Sequence, residues 1–578
     1  MTRGVTMHGK AGCRDGAIRV RLFAGLTALA AMAACSTAPP STVPPAQPAA
    51  TGAAIETERL ETTLYAFAHD SMMGREAGTE GHRRAVRYLE ERARAYGLEP
   101  AGENGTYLQE VPLVRRGMRS TLRDPSGAIA VGPDFAPLVL EDLNSPASLD
   151  FTGIPVVYGG DMAGPNEISA EEGAGKIVVL GAARGPEGRA FGLVGPTLQK
   201  LQGAAAVLMA STDYADPEIM EFLLEPQVAL DEGDDAGIET GDGPLLAFVS
   251  EALVERLFGA GVDALETGAE GPSLTGTLEP SEEPVDVPTY NVVARISGSD
   301  PALRDEHVVL SAHSDHVGVS RPPLPHDSLR AYLEVVRPGG AEDPEREPTP
   351  EEAEQIRAIL AEQGRSNRPD SINNGADDDA SGSMALLEIG RVIAASTERP
   401  RRSVLLVWHT AEEGGLLGAR YYTDNPTVPR DQMVTTVNID MVGRGTVEDT
   451  ELGGPGYLTL IGSRRLSTQL GDLVEDVNQQ GGHGFDFDYQ YDAEGHPQQF
   501  YCRSDHYMYA RYGIPVVFMS TGGHRDYHQR TDEAQYIDYE KLTSVSAFVH
   551  DLVTDVANLD ERPLVDGPVP DPNAPCRQ

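Results

Sequence analysis

Apolar residues are spaced differently in different parts of this chain. From Thr289 onward, short continuous apolar runs alternate with stretches in which apolar residues recur at helical spacing. This alternation is typical of an α/β fold, in which helices cover both faces of a sheet. The predicted strands are 291–296, 307–311, 404–408, 435–439, 458–461 and 515–519, and the predicted helices are 383–395, 416–422, 466–477 and 539–556.

The region before Thr289 has two further patterns. Residues 57–100 predict helix, because Ala85, Leu89 and Ala93 recur at helical spacing and Gly97 supplies a C-terminal stop. From 125 to 285, short β-rich runs are separated by Gly, Pro and acidic loops; these runs are 154–158, 176–180 and 205–209. They predict a compact α+β unit that carries no evident chemistry and forms a lid or wall for a site elsewhere.

At 578 residues the chain is too long for one typical domain. The patterns described above predict how it is divided. Residues 56–124 begin the α/β domain, 125–285 form the smaller unit, and 286–557 complete the α/β domain. A polar, Pro-rich insertion at 320–370 either shapes specificity or decorates the surface. The Pro-rich tail, 558–578, is expected to be disordered.

Net charge limits the possible partners. A formal net charge of −43 argues against nucleic acid or an anionic membrane surface as a binding partner. Cationic substrates are compatible with this charge, and so is a simple contribution to solubility. The sequence gives no indication of the oligomeric state.

The N-terminus has the features of an export signal. A basic stretch with Lys10, Arg14 and Arg21 precedes an apolar run, 22–34, which is too short to span a membrane as a mature helix. The sequence Met-Ala-Ala-Cys resembles a bacterial lipobox, which makes 1–35 a signal peptide, Cys35 the lipidation site and 36–55 a flexible tether. Alternatively, cleavage at an Ala-x-Ala site releases a soluble periplasmic or secreted protein. Apart from that anchor, no membrane contact is expected.

The cysteines constrain the chemistry of any metal site. Once Cys13 is removed with the signal peptide and Cys35 is lipidated, Cys502 and Cys576 remain. They could pair in an oxidising compartment, but two cysteines are too few for a metal–thiolate site. Any metal must therefore be bound by histidine and carboxylate side chains.

Histidine and acidic residues follow the predicted strands of the α/β domain. In open α/β sheets, functional groups gather at the carboxyl ends of the strands, so these side chains are expected to converge. They are His313 and Asp315 after strand 307–311, Asp378 in the loop before helix 383–395, Glu412 and Glu413 after 404–408, Asp440 after 435–439, and His524 and His528 after 515–519.

Carboxylates are dense in two of these loops. Asp377, Asp378 and Asp379 are adjacent beside a Gly turn, and Glu412 directly precedes Glu413 after an apolar strand. Such groups cannot all stay ionised together without a compensating cation, unless they are simply solvated loop carboxylates. The nitrogen and oxygen donors suit zinc, with one glutamate as a ligand and its neighbour left free as a base.

Six stretches carry a resemblance to a known family, and they occur in the family's order. The chain resembles the co-catalytic di-zinc aminopeptidases, a family that also contains glutamate carboxypeptidases and inactive transferrin-receptor ectodomains. The resemblance covers 57–120 and 286–556, and 125–285 resembles the protease-associated domain that members often carry. The matched stretches are Ala-His-Ser-Asp (312–315), Gly-Ala-Asp-Asp-Asp-Ala-Ser-Gly (375–382), Ala-Glu-Glu-Gly (411–414), Asn-Ile-Asp-Met (438–441), Arg-Ser-Asp-His (503–506) and Asp-Tyr-His (526–528).

This resemblance implies a three-layer α/β/α sandwich around a mixed, mostly parallel sheet, with the protease-associated domain as a smaller α+β insertion. It also implies two zinc ions per chain. His313, Asp440 and a bridging Asp378 match the ligands of one ion. Glu413, His528 and the same Asp378 match the ligands of the other.

Other positions match the family's catalytic residues. Glu412 matches the general base, and Asp315 matches the carboxylate that orients a ligating histidine. Tyr527 either donates to the oxyanion, as a tyrosine does in some members, or is a packed aromatic. Arg503 either binds a substrate carbonyl or carboxylate or pairs with Asp505.

The resemblance also implies a cis peptide bond after the bridging aspartate, between Asp378 and Asp379. With six ligand positions already matched, His316, His506 and His524 are expected to support the site or the fold rather than bind metal. The insertion at 320–370 departs from the family pattern and puts the substrate preference in doubt.

The implied function is that of an exported zinc exopeptidase that removes N-terminal residues from peptides, with a hydroxide bridging the two zincs and Glu412 as the base. The alternatives are a carboxypeptidase or dipeptidase of the same family, a glutaminyl cyclase-like reaction, and a non-catalytic binding lipoprotein. No arginine in 515–520 offers a site for a C-terminal carboxylate, which favours amine recognition, and no ligand position is eroded. The motifs His-Glu-x-x-His and Gly-x-Ser-x-Gly are absent, which disfavours thermolysin-type endopeptidases and serine hydrolases.

Overall fold

The computed structural model describes residues 54–578, apart from 139–147, 186–187, 193, 216, 232–242, 364–367, 448 and 450–452. The predicted signal peptide with Cys35, and the predicted tether as far as residue 53, lie outside the described residues, so both assignments and the lipidation of Cys35 stay predictions. Within the described part, no helix combines the length and apolar character that crossing a lipid bilayer requires. The described residues, from 54 onward, form one compact unit.

The N-terminal segment begins with two helices, α1 (Thr57–Phe67) and α2 (Glu80–Ala95). The apolar stripe Ala85, Leu89 and Ala93 of α2 is fully buried, and Gly97 follows the helix in a left-handed conformation with φ 74°, as the sequence predicts. A tight turn that includes Arg75 joins the two helices. The strands of this segment are β1 (Glu99–Pro100), β2 (Leu108–Val111), β3 (Leu113–Ser120) and β4 (Arg123–Asp124).

The region 125–285 has a sheet and apolar clusters of its own. Its strands are β5 (Gly127–Ala128), β6 (Phe135–Leu138), β7 (Leu149–Asp150), β8 (Val156–Asp161), β9 (Ile177–Gly181), β10 (Ala183–Gly185), β11 (Gly188–Ala190), β12 (Ala206–Ala210), β13 (Gln227–Leu230), β14 (Leu245–Val249) and β15 (Thr277–Pro284). Its helices are α3 (Ala170–Gly173), α4 (Gly195–Lys200), α5 (Pro217–Leu224) and α6 (Glu251–Phe258). The sheet order is β6-β14-β12-β9-β8, with all neighbours parallel except β6, and an apolar cluster covers each face.

The predicted boundary at residue 125 cuts through a shared sheet. β3, which precedes the boundary, pairs antiparallel with β15 on one edge and with β13 on the other. The smaller unit is therefore continuous with the strand that leads into it. From β13, Val228 and Leu230 pack against Ala411 and Leu417 of the α/β domain, so this unit supports the turn that carries Glu412.

The remainder of the chain alternates between strand and helix. The strands are β16 (Thr289–Ile296), β17 (His307–His313), β18 (Val319–Pro325), β19 (Pro369–Ile372), β20 (Ser403–His409), β21 (Met433–Ile439), β22 (Tyr457–Ile461), β23 (Asp486–Asp488) and β24 (Val516–Ser520). The helices are α7 (His326–Val336), α8 (Pro350–Gln363), α9 (Ala380–Ala395), α10 (Leu417–Asp424), α11 (Thr468–Gly481), α12 (His506–Ala510) and α13 (Tyr539–Asn558).

The central sheet is mixed, with a parallel middle. Its order is β1-β16-β20-β17-β21-β24-β22-β23, and β2 also pairs with β16. The strands β20, β17, β21 and β24 run parallel to one another, whereas β16 and β22 pair antiparallel with β20 and β24. The carboxyl ends of the four parallel strands therefore lie along one edge.

Two apolar cores flank this sheet, because side chains along each strand point alternately to its two faces. On β17, Val308 and Leu310 belong to the core formed with α1, α9 and α13. Val309 lies in the opposite core with Tyr422 of α10 and Tyr509 of α12. Both faces are covered, which explains the continuous apolar runs of the sequence and confirms the three-layer α/β/α sandwich.

The insertion at 320–370 is more regular than its polar composition suggests. β18 and β19 pair with each other, and α7 and α8 pack together between them. Thr349 accepts the N–H of Glu352 at 3.3 Å and its own N–H donates to the Glu352 carboxylate at 2.8 Å, which forms a capping box at the start of α8. The sequence analysis did not predict α7, whose Leu333 is fully buried.

The tail, 558–578, is not disordered, and that expectation is wrong. Cys576 forms a disulfide with Cys502, the pairing that the sequence allowed for an oxidising compartment. The side chain of Gln578 donates a hydrogen bond to the carbonyl of Tyr491. Proline accounts for the lack of regular structure. Contacts with residues distant in sequence nevertheless hold the tail against the α/β domain, and composition does not reveal them.

Candidate metal centre

The carboxyl ends of the parallel strands bring the predicted site residues together. β17 ends at His313, β20 ends shortly before Glu412, and β21 ends one residue before Asp440. The loop after β24 carries His528. Because these strands are parallel neighbours, residues far apart in the sequence meet at one edge of the sheet.

One cluster contains His313, Asp378 and Asp440. The Nε2 atom of His313 lies 3.1 Å from Oδ1 of Asp378 and 3.6 Å from Oδ1 of Asp440. All three residues are buried, and their donor atoms lie close enough together to hold one metal ion.

A second cluster shares the same aspartate. The Nε2 atom of His528 lies 3.1 Å from Oδ2 of Asp378 and 3.0 Å from Oε2 of Glu413. The two oxygens of Asp378 therefore face different clusters. This is the geometry expected of a carboxylate that bridges two ions.

His316 belongs to this second cluster as well, which the sequence analysis did not anticipate. Its Nδ1 atom lies 2.7 Å from Oε1 of Glu413 and 3.8 Å from Oδ2 of Asp378. His316, Asp378 and Glu413 form a group of donors that could hold a metal. Its position at the end of β17, directly after Asp315, was the available signal.

The donor set fits zinc. Imidazole nitrogens and carboxylate oxygens are ordinary zinc ligands, and the ion-pair partners of Asp378, Asp440 and Glu413 are histidine rings. Burial alone lowers the pKa of His313, but Glu412 and Asp440 outweigh it and raise that pKa well above its usual value. The buried carboxylates thus favour a positive charge at this position, which a metal cation supplies.

Asp440 is held by a chain of buried side chains. Ser504 Oγ donates to Oδ2 of Asp440 at 2.7 Å, and the Asn438 amide donates to Ser504 Oγ at 2.9 Å. Ser311 Oγ donates in turn to the Asn438 carbonyl oxygen at 2.7 Å. This chain fixes one oxygen of Asp440 and leaves the other facing His313.

Asp315 contacts both His313 and the Glu412 turn. Its Oδ1 accepts the backbone N–H of Glu412 at 3.1 Å and lies 3.8 Å from Nδ1 of His313. Asp315 thus lies on the Nδ1 side of the His313 ring without a hydrogen bond to it, so its role in orienting the ring stays a prediction. The same carboxylate holds the backbone of the residue matched to the base.

The three adjacent aspartates point in different directions, which resolves their crowding. Asp377 accepts the N–H of Gly443 at 2.7 Å and lies 3.2 Å from Nε2 of His524. Asp379 accepts N–H groups of Gly382 and His313. Only Asp378 faces the two clusters, and the peptide bond between Asp378 and Asp379 is cis, as the resemblance implies.

Arg75 is a part of the site that the sequence analysis did not identify. Its guanidinium is completely buried and donates to the carbonyl oxygens of Ser314, Asn374, Gly375 and Asp378. Burial lowers its pKa to about 10, against the pull of nearby carboxylates. It therefore ties the loop after His313 to the loop that carries Asp378. In the sequence, its Gly-rich surroundings indicated only a turn.

A cavity of about 420 Å³ opens onto both clusters. Glu412 lines it, and burial raises the pKa of its carboxyl well above the usual value. Aromatic side chains form part of the wall; they are Tyr491, Phe500, Phe518 and Tyr527. The cavity thus combines a carboxyl group able to hold a proton with a partly apolar wall.

Tyr527 and Arg503 lie together at this cavity. The Tyr527 ring stacks on His528 with centroids 4.0 Å apart, and burial raises the pKa of its hydroxyl. Arg503 donates to the Tyr527 hydroxyl at 3.2 Å and to the Glu342 carboxylate at 2.8 Å. Arg503 therefore forms its ion pair with Glu342 of the insertion, and not with Asp505, which was one of the two alternatives left open by the sequence.

The two remaining histidines support the fold. The ring of His506 stacks on Phe518 with centroids 4.8 Å apart, and His524 contacts Asp377. Both are completely buried.

Residues 291–553 match the family model described as Peptidase family M28. Leupeptin-inactivating enzyme 1 of Streptomyces exfoliatus is 28% identical over 169 residues, which cover 29% of this chain and 33% of that protein. Leucine aminopeptidase 1 of Penicillium rubens is 25% identical over 178 residues, which cover 29% of this chain and 43% of that protein. The chain thus spans a third to a half of the length of the first curated relatives it matches.

Solved structures of aminopeptidases are also similar. The aminopeptidase from Aneurinibacillus sp. strain AM-1 has 16% identity and a TM-score of 0.45, over 89% of this chain and 97% of that one. BSAP, a zinc aminopeptidase from Bacillus subtilis, has 15% identity and a TM-score of 0.46, over 87% of this chain and 95% of that one.

Proposed function

We propose that the whole chain is a zinc-dependent exopeptidase that removes N-terminal residues from peptides. Supporting this proposal, residues 291–553 match the model of peptidase family M28. The observation that carries this proposal is the arrangement of three carboxylates at one cavity. Asp378 directs its two oxygens to separate donor clusters, Glu413 lies in one cluster, and Glu412 beside it lines the cavity.

The residues that would hold two zinc ions are those that resemblance assigns. His313, Asp440 and Asp378 would hold one ion, and Glu413, His528 and Asp378 would hold the other. When bound, zinc would polarise a carbonyl group and lower the pKa of a bound water molecule to near neutrality. The protein side chains supply the proton transfers and the orientation.

Glu412 is the proposed general base. Its backbone N–H is fixed by Asp315 and its buried carboxyl has a raised pKa, so it can take a proton from water and deliver it to the leaving amine. Tyr527 is placed to donate its hydroxyl hydrogen to the oxygen of the scissile carbonyl as negative charge develops there. Arg503 keeps that hydroxyl oriented.

Recognition of a free amine fits the charge of the cavity. Carboxylates that line it outside the donor clusters include Asp343 and Glu412, whereas Arg503 neutralises the charge of Glu342. A protonated α-amine is attracted to such a site, whereas a C-terminal carboxylate is repelled. The carboxypeptidase alternative lacks a comparable free cation among the described lining residues.

Export and the smaller unit are further parts of the proposal. The disulfide between Cys502 and Cys576 is compatible with an oxidising compartment, and the lipobox-like sequence would anchor Cys35 to the outer membrane of a bacterial cell. Cell fractionation of wild type and Cys35→Ala tests this: release of the variant from the membrane fraction is expected.

We assign 125–285 as a protease-associated domain that forms a wall beside the site, because Val228 packs near the Glu412 turn.

Hydrolysis of aminoacyl-p-nitroanilides tests the activity. Wild type and Glu412→Gln are compared on free-amine substrates, their N-acetylated forms and peptides ending in glutamate, with zinc content measured on both proteins. We expect cleavage of free-amine substrates only, and a fall in kcat of about 10²- to 10⁴-fold in the variant with zinc retained.

Other outcomes would assign a different function. Cleavage at free C-termini alone would indicate a carboxypeptidase. Absence of both metal and turnover would indicate a binding protein.

A further inference from the structure

We propose that Glu342 of the insertion sets the substrate class of this site, by occupying Arg503 and so disfavouring dipeptides relative to longer peptides. This inference rests on the proposed aminopeptidase function. It concerns the chain after the scissile bond, where a dipeptide carries a carboxylate and a longer peptide carries a neutral amide.

Arg503 is the cation that a substrate carboxylate would use. It lines the cavity, donates to the Tyr527 hydroxyl at 3.2 Å and lies over the Phe500 ring at 5.1 Å from its centroid. Its side chain remains 37% exposed. An arginine in this position can bind a carboxylate through two parallel hydrogen bonds.

Glu342 already occupies this cation. Its carboxylate accepts a hydrogen bond from Arg503 at 2.8 Å and also lines the cavity. A substrate carboxylate must either displace the Glu342 carboxylate from Arg503 or bind beside an arginine whose charge is already neutralised. A peptide amide needs no such displacement.

The turn that carries Glu342 is fixed to the loop after β24, which carries Tyr527 and His528. The N–H of Ala341 donates to the carbonyl of Tyr527 at 3.2 Å. Gly340 has φ 61°, and a Cβ atom there would lie 2.7 Å from the carbonyl oxygen of His524, so glycine permits this close approach. Glu342 is thus held at a defined place beside Tyr527.

The consequence is a discrimination by charge. Loss of the carboxylate at position 342 frees Arg503 for the terminal carboxylate of a dipeptide and removes a negative charge that repels it. The scissile bond, the metal donors and Glu412 are unaffected. Specificity then changes without loss of the basic activity.

The test compares leucyl-glycine with leucyl-glycinamide, which differ only in the terminal carboxylate. Wild type, Glu342→Gln and Glu347→Gln are measured, the last as a matched control that removes the same charge from the same insertion. We expect Glu342→Gln to raise kcat/KM for the dipeptide about 10-fold while the value for the amide stays within about 2-fold, because a charge-assisted pair at a partly exposed site has this magnitude. Glu347→Gln should leave the ratio of the two substrates unchanged.

A second variant identifies the group responsible. In Glu342→Gln combined with Arg503→Gln, the ratio of kcat/KM for the dipeptide to that for the amide should return to the wild-type ratio, even if both values fall because the Tyr527 hydroxyl is no longer oriented. An active Glu342→Gln enzyme with an unchanged ratio would overturn this inference alone. If the wild-type protein cleaves neither of the two compounds nor leucyl-p-nitroanilide, the proposed function is overturned, and this inference with it.

Discussion

The central sheet and the five-stranded sheet of 125–285 are both built from parallel strands with buried apolar side chains, yet their carboxyl ends differ. In the central sheet these ends carry His313, Asp440 and the Glu412–Glu413 pair. In the smaller sheet, β12 is followed by Ser211 and β14 by Ser250, whose hydroxyl donates to Asp134 and caps α6. Among the described residues, both groups of potential metal donors belong to the central sheet.

The charges of the two regions are also balanced differently. Near the smaller sheet, Asp161 pairs with Arg184 and Arg189, so arginine neutralises the carboxylate. At the central sheet, the carboxylates of Asp378 and Glu413 pair with histidine rings that can instead bind metal. Parallel strands therefore supply a common edge, whereas the residues at and behind that edge decide whether it can hold a metal ion.

The largest expected effect comes from Asp378→Asn. Because its two oxygens serve both clusters, we expect loss of both zinc ions and of detectable hydrolysis, together with a lower Tm, since zinc that binds only the folded state stabilises it. Metal analysis and calorimetry measure this. Hydrogen exchange should increase in 313–316 and 411–414 and stay unchanged in β9 and β12.

Retention of full zinc by the Asp378→Asn protein would contradict the bridging role. Faster exchange in the smaller sheet would show that the two sheets are more tightly coupled than their separate cores suggest.

A smaller effect is expected for Ser504→Ala. This variant removes the hydrogen bond that fixes Asp440 but keeps every donor atom, so zinc affinity should fall about 10-fold, as is common when a ligand loses its supporting partner. Competition with a fluorescent chelator measures the affinity. Unchanged affinity with lower stability would make Ser504 a packing residue only.

The smallest effect on the site is expected for Ser250→Ala, which changes the corresponding strand end of the smaller sheet. Loss of the helix cap should reduce the free energy of unfolding by about 1 kcal/mol. Zinc affinity and kcat/KM should not change. A clear loss of activity would mean that this edge also contributes to the reaction.

The sequence predicted the elements whose patterns are local. The strand predicted at 404–408 is β20 (Ser403–His409), and the helix predicted at 539–556 is α13 (Tyr539–Asn558), because burial on both faces or on one stripe leaves a clear apolar pattern. The predicted donors likewise follow strand ends. Their convergence needed only the parallel arrangement, which alternation of strand and helix already implied.

The remaining features depend on contacts without a local signature. The directions of Asp377 and Asp379, away from the donor clusters, follow from N–H groups supplied by other loops. The pairing of Glu342 with Arg503 crosses 161 residues. Neither can be read from spacing, because no periodicity records which distant side chain fills a given position.

The buried guanidinium of Arg75 has a consequence for the order of folding. Besides the nearby carbonyl of Phe67, it has four carbonyl partners that lie 239 to 303 residues later in the chain, outside the reach of any local element. Contacts between residues so far apart in the sequence form late, because the chain must first lose the conformational entropy of the long intervening loop. The ligand loops therefore reach their final geometry only after the N-terminal segment has docked. We therefore expect zinc to enter a prefolded scaffold, and a fragment restricted to 291–553 would leave these buried carbonyl groups without their donor.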